Sequence, residues 1–116
     1  MICPQMPSVS VIIICRDEED QIAECLKSIQ WADEIIVVDS GSTDATREVA
    51  ARFTPHVHEV EWKGFGPQKN HALSLATGDW VLSIDCDERA EAGMEAEVRK
   101  LISNPEHAGY EVPRFN

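Results

Sequence analysis

The sequence predicts a mixed α/β protein, a Rossmann-like three-layer α/β/α fold built around a mainly parallel sheet. Three apolar runs rich in β-branched residues, at residues 9–14, 35–38 and 80–84, are typical of strands buried on both faces. Segments with apolar residues at helical spacing separate these runs, and strands that alternate with helices form parallel sheets with right-handed crossovers. Acidic residues follow two of the buried strands, at the sheet edge where ligands bind in open α/β folds.

The first half of the chain is expected to form a strand, a helix, a second strand and a second helix. Asp17 follows the first strand and is expected to cap a helix whose apolar positions are Ile22, Cys25, Leu26 and Ile29. The strand at residues 35–38 ends in a loop of small and capping residues. The helix after this loop is expected over about residues 44–53.

The second half is expected to add a strand, a helix, a strand, a helix and a last strand. Residues 56–62 alternate weakly and indicate a short strand. Pro67 suits the first turn of the third helix, and Gly78 is expected to cap the C-terminal end of that helix. The strand at 80–84 precedes a helix with apolar residues at Met94, Val98, Leu101 and Ile102, which Asn104-Pro105 stops. Residues 107–115 fit a further strand.

Composition and charge exclude several classes of protein. A length of 116 residues fits one domain, and the net charge of −11 opposes binding to nucleic acid or to an acidic membrane surface. The longest apolar run, at residues 9–15, is too short for a transmembrane segment and lacks the flanks of a signal peptide. The four cysteines form no C-x-x-C pair and no regular spacing. A reducing, cytosolic compartment fits such a pattern best.

Two carboxylates two residues apart, Asp85 and Asp87, follow the strand at residues 80–84. In an extended segment, side chains at i and i+2 share a face, so both carboxylates can meet one cation. Mg²⁺ and Mn²⁺ prefer such oxygen ligands, and a cation held there can grip a diphosphate. The plainer interpretation is that Asp87 and Glu88 cap the last helix and Asp85 lies on the surface.

Other polar and aromatic residues admit two interpretations each. Asp39 ends a buried strand and can accept hydrogen bonds from a ribose hydroxyl or a base N–H, or can form a turn that caps the next helix. Lys69 lies near the start of the third helix, where a cation opposes the helix dipole and points either to an anionic ligand or to a solvated side chain. Three aromatic residues are expected to be core or loop anchors rather than base-stacking platforms: Trp62, Phe65 and Trp80.

Four ordered motifs resemble the N-terminal half of glycosyltransferase family 2, which has the GT-A fold. They are VSVIIICRDEE at 9–19, IVVDSGSTD at 36–44, QKNHAL at 68–73 and GDWVLSIDCD at 78–87. The stretch GFGPQKN at 64–70 is similar to a bacterial branch that includes lipopolysaccharide core glucosyltransferases. The resemblance implies that residues 1–6 are an N-terminal extension. Residues 7–116 would be the nucleotide-sugar-binding part of a GT-A domain, with the C-terminal acceptor half absent.

The resemblance implies nucleotide-binding roles for five positions. The backbone around Cys15 and Arg16, together with Glu18, would line the nucleotide pocket. Asp39 would contact the uracil or the ribose. Lys69 stands where the family commonly has Arg, and it would face the nucleotide.

The resemblance also implies a metal site at the D-x-D motif. Asp85 would reach the ribose or the metal-bound water, and Asp87 would ligate Mn²⁺ or Mg²⁺ on the diphosphate of a UDP-sugar. Two departures from the family pattern accompany these motifs: Asp17 replaces the usual Asn before the Glu pair, and Cys86 replaces the usual small residue between the two aspartates.

The activity implied by the resemblance is inverting transfer of a sugar, with UDP-glucose as the expected donor, to the hydroxyl of a glycan or lipid-linked acceptor. The catalytic base is expected beyond residue 116, so no catalytic residue is assigned. The protein is expected in the cytoplasm, peripheral at the inner membrane when full-length. An unpaired sheet edge predicts a homodimer, because exposed strand edges recruit other chains.

Three other classes of protein compete with this prediction. A non-catalytic module of the same fold would bind a nucleotide or a protein partner without turnover. A receiver-type signalling domain also has a strand-ending Asp, but Asp39 lies one strand too early and the D-x-D motif would have no role. A nucleotidyltransferase would need a glycine-rich basic loop after the first strand, where this chain has the acidic residues 17–19.

Overall fold

The computed structural model describes residues 8–87 and 93–102, which form four strands and four helices in strict alternation. The strands are β1 (Val9–Cys15), β2 (Glu34–Asp39), β3 (Val57–Glu59) and β4 (Trp80–Ser83). The helices are α1 (Ile22–Ser28), α2 (Thr46–Ala50), α3 (Phe65–Leu75) and α4 (Met94–Ile102). The order matches the prediction. The expected strand at 107–115, the stop at 104–105 and the extension at 1–6 lie outside the described residues.

All four strands of the described sheet are parallel, in the order β3-β2-β1-β4. The register pairs Cys15 with Asp39 and Ile12 with Ser83, so these strands end at the same edge. The chain first builds outward from β1 to β3 and then returns to place β4 on the other side of β1. This reversal puts a topological switch point between β1 and β4, the position where ligands bind in open α/β sheets.

Apolar side chains bury both faces of the sheet, which confirms the predicted fold class. Ile13 and its neighbours on one face pack with α1, α2 and α4 through residues such as Leu26, Ala50 and Val98. Ile12 faces the opposite side and packs with Ala72 of α3. Successive residues of a strand point to opposite faces, so a continuous β-branched run supplies both layers at once.

Two elements near the β3 edge are shorter than predicted. The expected helix at 44–53 is helical only over Thr46–Ala50, and residues 51–53 continue as a turn in which the N–H groups of Arg52 and Phe53 donate to the carbonyls of Val49 and Ala50. The Thr54 hydroxyl then donates to the carbonyl of Ile35 at 2.7 Å and redirects the chain toward β3. The expected strand at 56–62 pairs only over Val57–Glu59.

The prediction that Asp17 caps the first helix is wrong. α1 begins at Ile22, and the carbonyl of Glu18 accepts the N–H groups of Gln21 and Ile22 at 2.9 and 2.8 Å. Asp17 adopts a left-handed backbone conformation, with φ of 51°, which Asp tolerates better than most residues. Its carboxylate accepts the N–H of Thr43 at 2.7 Å and so ties the loop after β1 to the loop after β2.

The prediction that Gly78 caps α3 is also wrong. α3 ends at Leu75, and Ala76 is already extended, with φ of −72° and ψ of 134°. Gly78 lies against β1 instead, where its N–H donates to the Ser10 hydroxyl at 2.9 Å. A Cβ at this position would stand 2.6 Å from Ser10 Oγ and 2.9 Å from Ser10 N, so close approach to the backbone explains the glycine.

Glu34 connects three segments at the amino end of the sheet. Its carboxylate accepts the Ser10 hydroxyl at 2.7 Å, the Thr77 N–H at 2.8 Å and the Thr77 hydroxyl at 2.9 Å. Partial burial raises the pKa of Glu34, but these hydrogen bonds and the nearby His56 outweigh burial and bring the pKa below the ordinary value of 4.5. The ionised carboxylate therefore stabilises the folded chain.

We expect Glu34→Gln to lower the free energy of unfolding by about 1 kcal/mol near pH 7, because the amide forms weaker hydrogen bonds than the carboxylate. A depressed pKa contributes stability above the unfolded-state value and loses it as pH falls through the folded-state value. The difference between the variant and the wild type should therefore shrink below pH 4.5, the ordinary value. Urea unfolding across this range measures it, and Glu24→Gln, on the exposed side of α1, is the control.

Candidate functional site

A cavity of about 380 Å³ opens at the switch point, at the carboxyl ends of β1 and β4. The end of β1 and the loop after it contribute one wall, formed by Ile14, Cys15, Arg16 and Glu18. The segment after β4 contributes another, formed by Asp85, Cys86 and Asp87. Ser40, Trp62 and Phe65 complete the lining. The volume is within the range of small-molecule sites, which is about 300–1,000 Å³.

The structure brings five of the seven residues singled out from the sequence to this cavity: Cys15, Arg16, Glu18, Asp85 and Asp87. Neither Asp39 nor Lys69 is part of its lining. Lys69 is the fifth residue of α3 and is half-buried. Asp39 has no exposed surface, and its carboxylate lies 3.7 Å from the thiol of Cys15, a residue of the cavity lining.

The segment after β4 presents two carboxylates with a buried thiol between them. Asp85 and Asp87 are exposed, whereas Cys86 is only 5% exposed and packs into the core. The Cys25 thiol donates to the backbone carbonyl of Asp85 at 3.7 Å, which links this segment to α1. Both carboxylates are thus open to solvent, although residues 86–87 form a turn and not the extended segment that the spacing argument assumed.

The oxygen donors in the cavity suit a hard divalent cation. Within residues 8–87 and 93–102, no group of three His, Cys, Asp or Glu side chains is arranged to hold a metal ion. Asp85 and Asp87 therefore offer a partial shell. Mg²⁺ in nucleotide sites is commonly held by one or two carboxylates, with substrate phosphates and water completing the octahedron, so this donor set fits such an ion.

Asp39 organises the loop that follows β2. Its carboxylate accepts the N–H of Gly41 at 3.1 Å, the N–H of Ser42 at 2.8 Å and the Ser42 hydroxyl. The Cys15 thiol donates to it at 3.7 Å, and the Arg47 guanidinium lies 3.6 Å away. The buried carboxylate thus has hydrogen-bond donors and a guanidinium around it, and Ser40, the next residue, is held at the cavity wall.

The loops after β1 and β2 hold each other through reciprocal hydrogen bonds. The Ser42 hydroxyl accepts the N–H of Asp17 at 2.8 Å, and the Thr46 hydroxyl accepts the N–H of Glu18 at 2.8 Å. Asp44 receives the Thr46 hydroxyl, the Thr46 N–H at 2.9 Å and the Glu19 N–H at 3.3 Å. The bond from the Thr46 hydroxyl, with help from the N–H groups of Thr46 and Glu19, favours the ionised form of Asp44 and lowers its pKa below the ordinary value. The network fixes the backbone that carries Arg16 and Glu18.

The aromatic residues near the site differ in burial: Trp80 is buried, whereas Trp62 and Phe65 are exposed. Trp80 is 5% exposed and belongs to the core, as predicted. Trp62 and Phe65 are 42% and 77% exposed and line the cavity, so of the two expected roles, core or loop anchor, the core role is wrong for both. One signal was available: Trp62 ends the weakly alternating run at 56–62, and Phe65 lies in the glycine- and proline-rich stretch at 64–67, so neither belongs to a strongly periodic core segment. Ile14, Ser40 and Cys86 are further lining residues that the sequence analysis did not select.

Proteins of known structure share the fold of this chain. The chain is similar to Mycobacterium tuberculosis glucosyl-3-phosphoglycerate synthase in complex with Mn²⁺ and UDP-glucose, with a TM-score of 0.70 and 28% identity over 85% of this chain and 40% of that one. It is also similar to Staphylococcus aureus TarS 1–349, with a TM-score of 0.61 and 30% identity over 78% of this chain and 31% of that one. The shared architecture is the GT-A glycosyltransferase fold.

The model of glycosyl transferase family 2 matches residues 10–115, and the chain belongs to that family. Among its relatives, the lipopolysaccharide core biosynthesis glycosyltransferase LpsC of Rhizobium meliloti is 32% identical over 96% of this chain and 43% of its own length. A TPR repeat-containing protein of Synechococcus elongatus is 35% identical over 94% of this chain and 28% of its own length. The chain thus spans less than half the length of these relatives. In the part of the chain that the structure describes, no helix is long and apolar enough to cross a membrane.

Proposed function

We propose that this chain binds the nucleotide-sugar donor in a metal-dependent transfer of a sugar from a UDP-sugar to an acceptor hydroxyl. One observation carries the proposal: Asp85 and Asp87 share a cavity with Arg16 and Glu18 at the switch point of a parallel sheet. Ligands bind at such points, and paired carboxylates there suit a cation that bridges to phosphate. The M. tuberculosis synthase of the same fold has been solved with Mn²⁺ and UDP-glucose, which supports this choice of ligand.

The proposed roles on the β4 side concern the diphosphate. Asp87 would ligate Mn²⁺ or Mg²⁺, and Asp85 would take part in the metal shell or reach the ribose. A bound divalent cation would neutralise the charge that develops on the departing UDP. The backbone of Asp85 is held by the Cys25 thiol, and the burial of Cys86 keeps both carboxylates toward solvent.

The proposed roles on the β1 side concern the nucleoside. The backbone of Cys15 and Arg16 and the side chain of Glu18 would contact it, and their loop is already fixed by the bonds to Ser42 and Thr46. Direct contact of Asp39 with uracil or ribose requires the loop at 40–43 to move, since Asp39 is 0% exposed. The proposal that Lys69 faces the nucleotide likewise requires a side-chain movement toward the cavity.

We further propose a role in lipopolysaccharide or other cell-surface glycan synthesis, for which the likeness to LpsC is the support. The acceptor would be a glycan or lipid-linked hydroxyl, UDP-glucose the donor, and the cytoplasm, with peripheral attachment to the inner membrane, the location. Homodimerisation is proposed through β3 or β4, the outer strands of the described sheet. Residues 7–116 would form the donor-binding part of the domain.

Calorimetric titration of UDP into the 116-residue chain tests the proposal. With Mn²⁺ present we expect a dissociation constant between the micromolar and millimolar ranges, and at least about tenfold weaker binding in EDTA, because the cation bridges the carboxylates to the diphosphate. Equal affinity with and without the metal would contradict the metal role. No binding of UDP under either condition would overturn the donor-binding assignment.

A further inference from the structure

Trp62 and Phe65 form an exposed aromatic pair at the rim of the cavity. Their ring centroids are 5.0 Å apart and the ring planes meet at 88°, an edge-to-face arrangement. With 42% and 77% of their surfaces exposed, they are the exposed large apolar side chains within residues 8–87 and 93–102. Exposed apolar groups beside a polar cavity mark interaction sites, because their burial by a ligand is favourable.

The pair and the D-x-D carboxylates reach the cavity from different elements of the fold. Phe65 begins α3, which packs against β1 and β2, whereas Asp85 and Asp87 follow β4 on the other side of β1. Gln68 of α3 is 1% exposed and donates to the Ser40 hydroxyl and to the Val60 carbonyl, each at 3.4 Å. This buried amide attaches the start of α3 to the end of β2. A ligand that fills the cavity therefore meets the carboxylates of the segment after β4 and the aromatic rings at the start of α3.

We propose that Trp62 and Phe65 are a stacking platform for the uracil base of the donor. The inference rests on the proposed function, since it assigns one part of the donor to one part of the cavity. A nucleoside diphosphate has the matching polarity: a polyanionic diphosphate and a flat base, separated by the ribose. Stacking of a base on an aromatic side chain is favourable whatever the base, because every base has a π-face.

The backbone around the pair is shaped before any ligand binds. Gly64 has φ of 105°, a left-handed conformation that residues with a Cβ adopt only with strain, and it joins Trp62 and Lys63 to the first turn of α3. Pro67 fixes the backbone of that turn. Because the rings already pack against each other, little conformational entropy is lost when a base stacks on them.

Three variants of the whole chain test the platform by calorimetry with Mn²⁺ present. We expect Phe65→Ala to bind UDP about tenfold more weakly, and Phe65→Leu, which keeps apolar volume without a π-face, to be weakened in the same direction. Binding of inorganic pyrophosphate, which has no base, should stay within about twofold of wild type in both. The control is His71→Ala, on an exposed position of α3 outside the cavity lining.

Tryptophan emission gives a second readout. UDP should quench the emission of Trp62 while Trp80, in the core, and Trp31, beside α1, contribute a constant background. The quench should persist in His71→Ala and disappear in Trp62→Phe.

Several outcomes would overturn the platform. If Asp87→Ala loses UDP while Phe65→Ala and Phe65→Leu bind it like wild type, the stacking is refuted and the proposed function stands. If the Phe65 variants lose affinity for UDP-glucose but not for UDP, the rings contact the sugar and the assignment to uracil is wrong. If pyrophosphate binding falls as much as UDP binding, the effect is not on the base. A wild-type chain that binds no UDP refutes both proposals.

Discussion

Replacing Asp87 by alanine is expected to weaken metal-dependent UDP binding by about 100-fold, or about 2.7 kcal/mol. Asp85 and Asp87 are the carboxylates that the segment after β4 brings to the cavity, and a cation with only two protein ligands depends strongly on each. Asp87 is exposed, so its removal should leave the fold intact. Titration of UDP in Mn²⁺ measures the loss, and thermal unfolding checks the fold.

The control for this variant is Asp20→Ala, which removes the same charge from an exposed turn outside the cavity lining. Its UDP affinity should stay within about twofold of wild type, because exposed charges are screened by salt over about 10 Å. A comparable loss in both variants would attribute the effect to net charge. Unchanged binding in Asp87→Ala would remove Asp87 from the proposed metal site.

Replacing Asp39 by alanine is expected to lower the free energy of unfolding by about 3 kcal/mol, because several buried donors lose their acceptor at once. The N–H groups of Gly41 and Ser42 and the Cys15 thiol all point at this carboxylate, which is 0% exposed. Urea unfolding followed by circular dichroism measures the change. A loss below about 1 kcal/mol would contradict the structural role, since that is the net value of one ordinary hydrogen bond.

The control for Asp39 is Glu97→Ala on the exposed side of α4, where alanine is a good helix former and the change in stability should lie within about 0.5 kcal/mol. The same pair of variants separates two roles of Asp39. If UDP affinity per folded molecule is retained in Asp39→Ala, Asp39 makes no contact with the nucleoside that matters for binding. If it is lost in a folded variant, Asp39 acts on the nucleoside directly or through Ser40, which lines the cavity.

The strands and the layers were predictable from the sequence because they follow from patterns longer than one residue. A strand with apolar residues at every position of 11–14 must have both faces covered, and the structure packs Ile12 and Ile13 into opposite layers. The helices α1 and α4 were predictable because their apolar residues recur at helical spacing over several turns. The ends of helices and strands depend on single tertiary contacts, which the sequence pattern does not reveal. The hydroxyl of Thr54 redirects the chain after α2, and Gly78 lies close to Ser10 of β1.

The candidate site was predictable where chemistry and strand position coincide. Asp85, Asp87 and the end of β1 could be placed at one sheet edge by topology alone. The depth of Asp39 and the exposure of Trp62 and Phe65 could not, since both depend on how loops fold over the sheet edge. Asp17 shows the same limit, because its partner is Thr43, in a loop 26 residues further along the chain.

The nuclear magnetic resonance spectrum of the chain, titrated with UDP and Mg²⁺, tests the central claim most directly. Shifts of backbone amide signals should concentrate at residues 14–18, at Ser40, at residues 62–65 and at residues 85–87, because these residues surround the cavity at the carboxyl edge. A second cavity of about 210 Å³ lies around residues 30–35 and 53–56, at the opposite edge. Shifts confined to that second cavity would contradict the account.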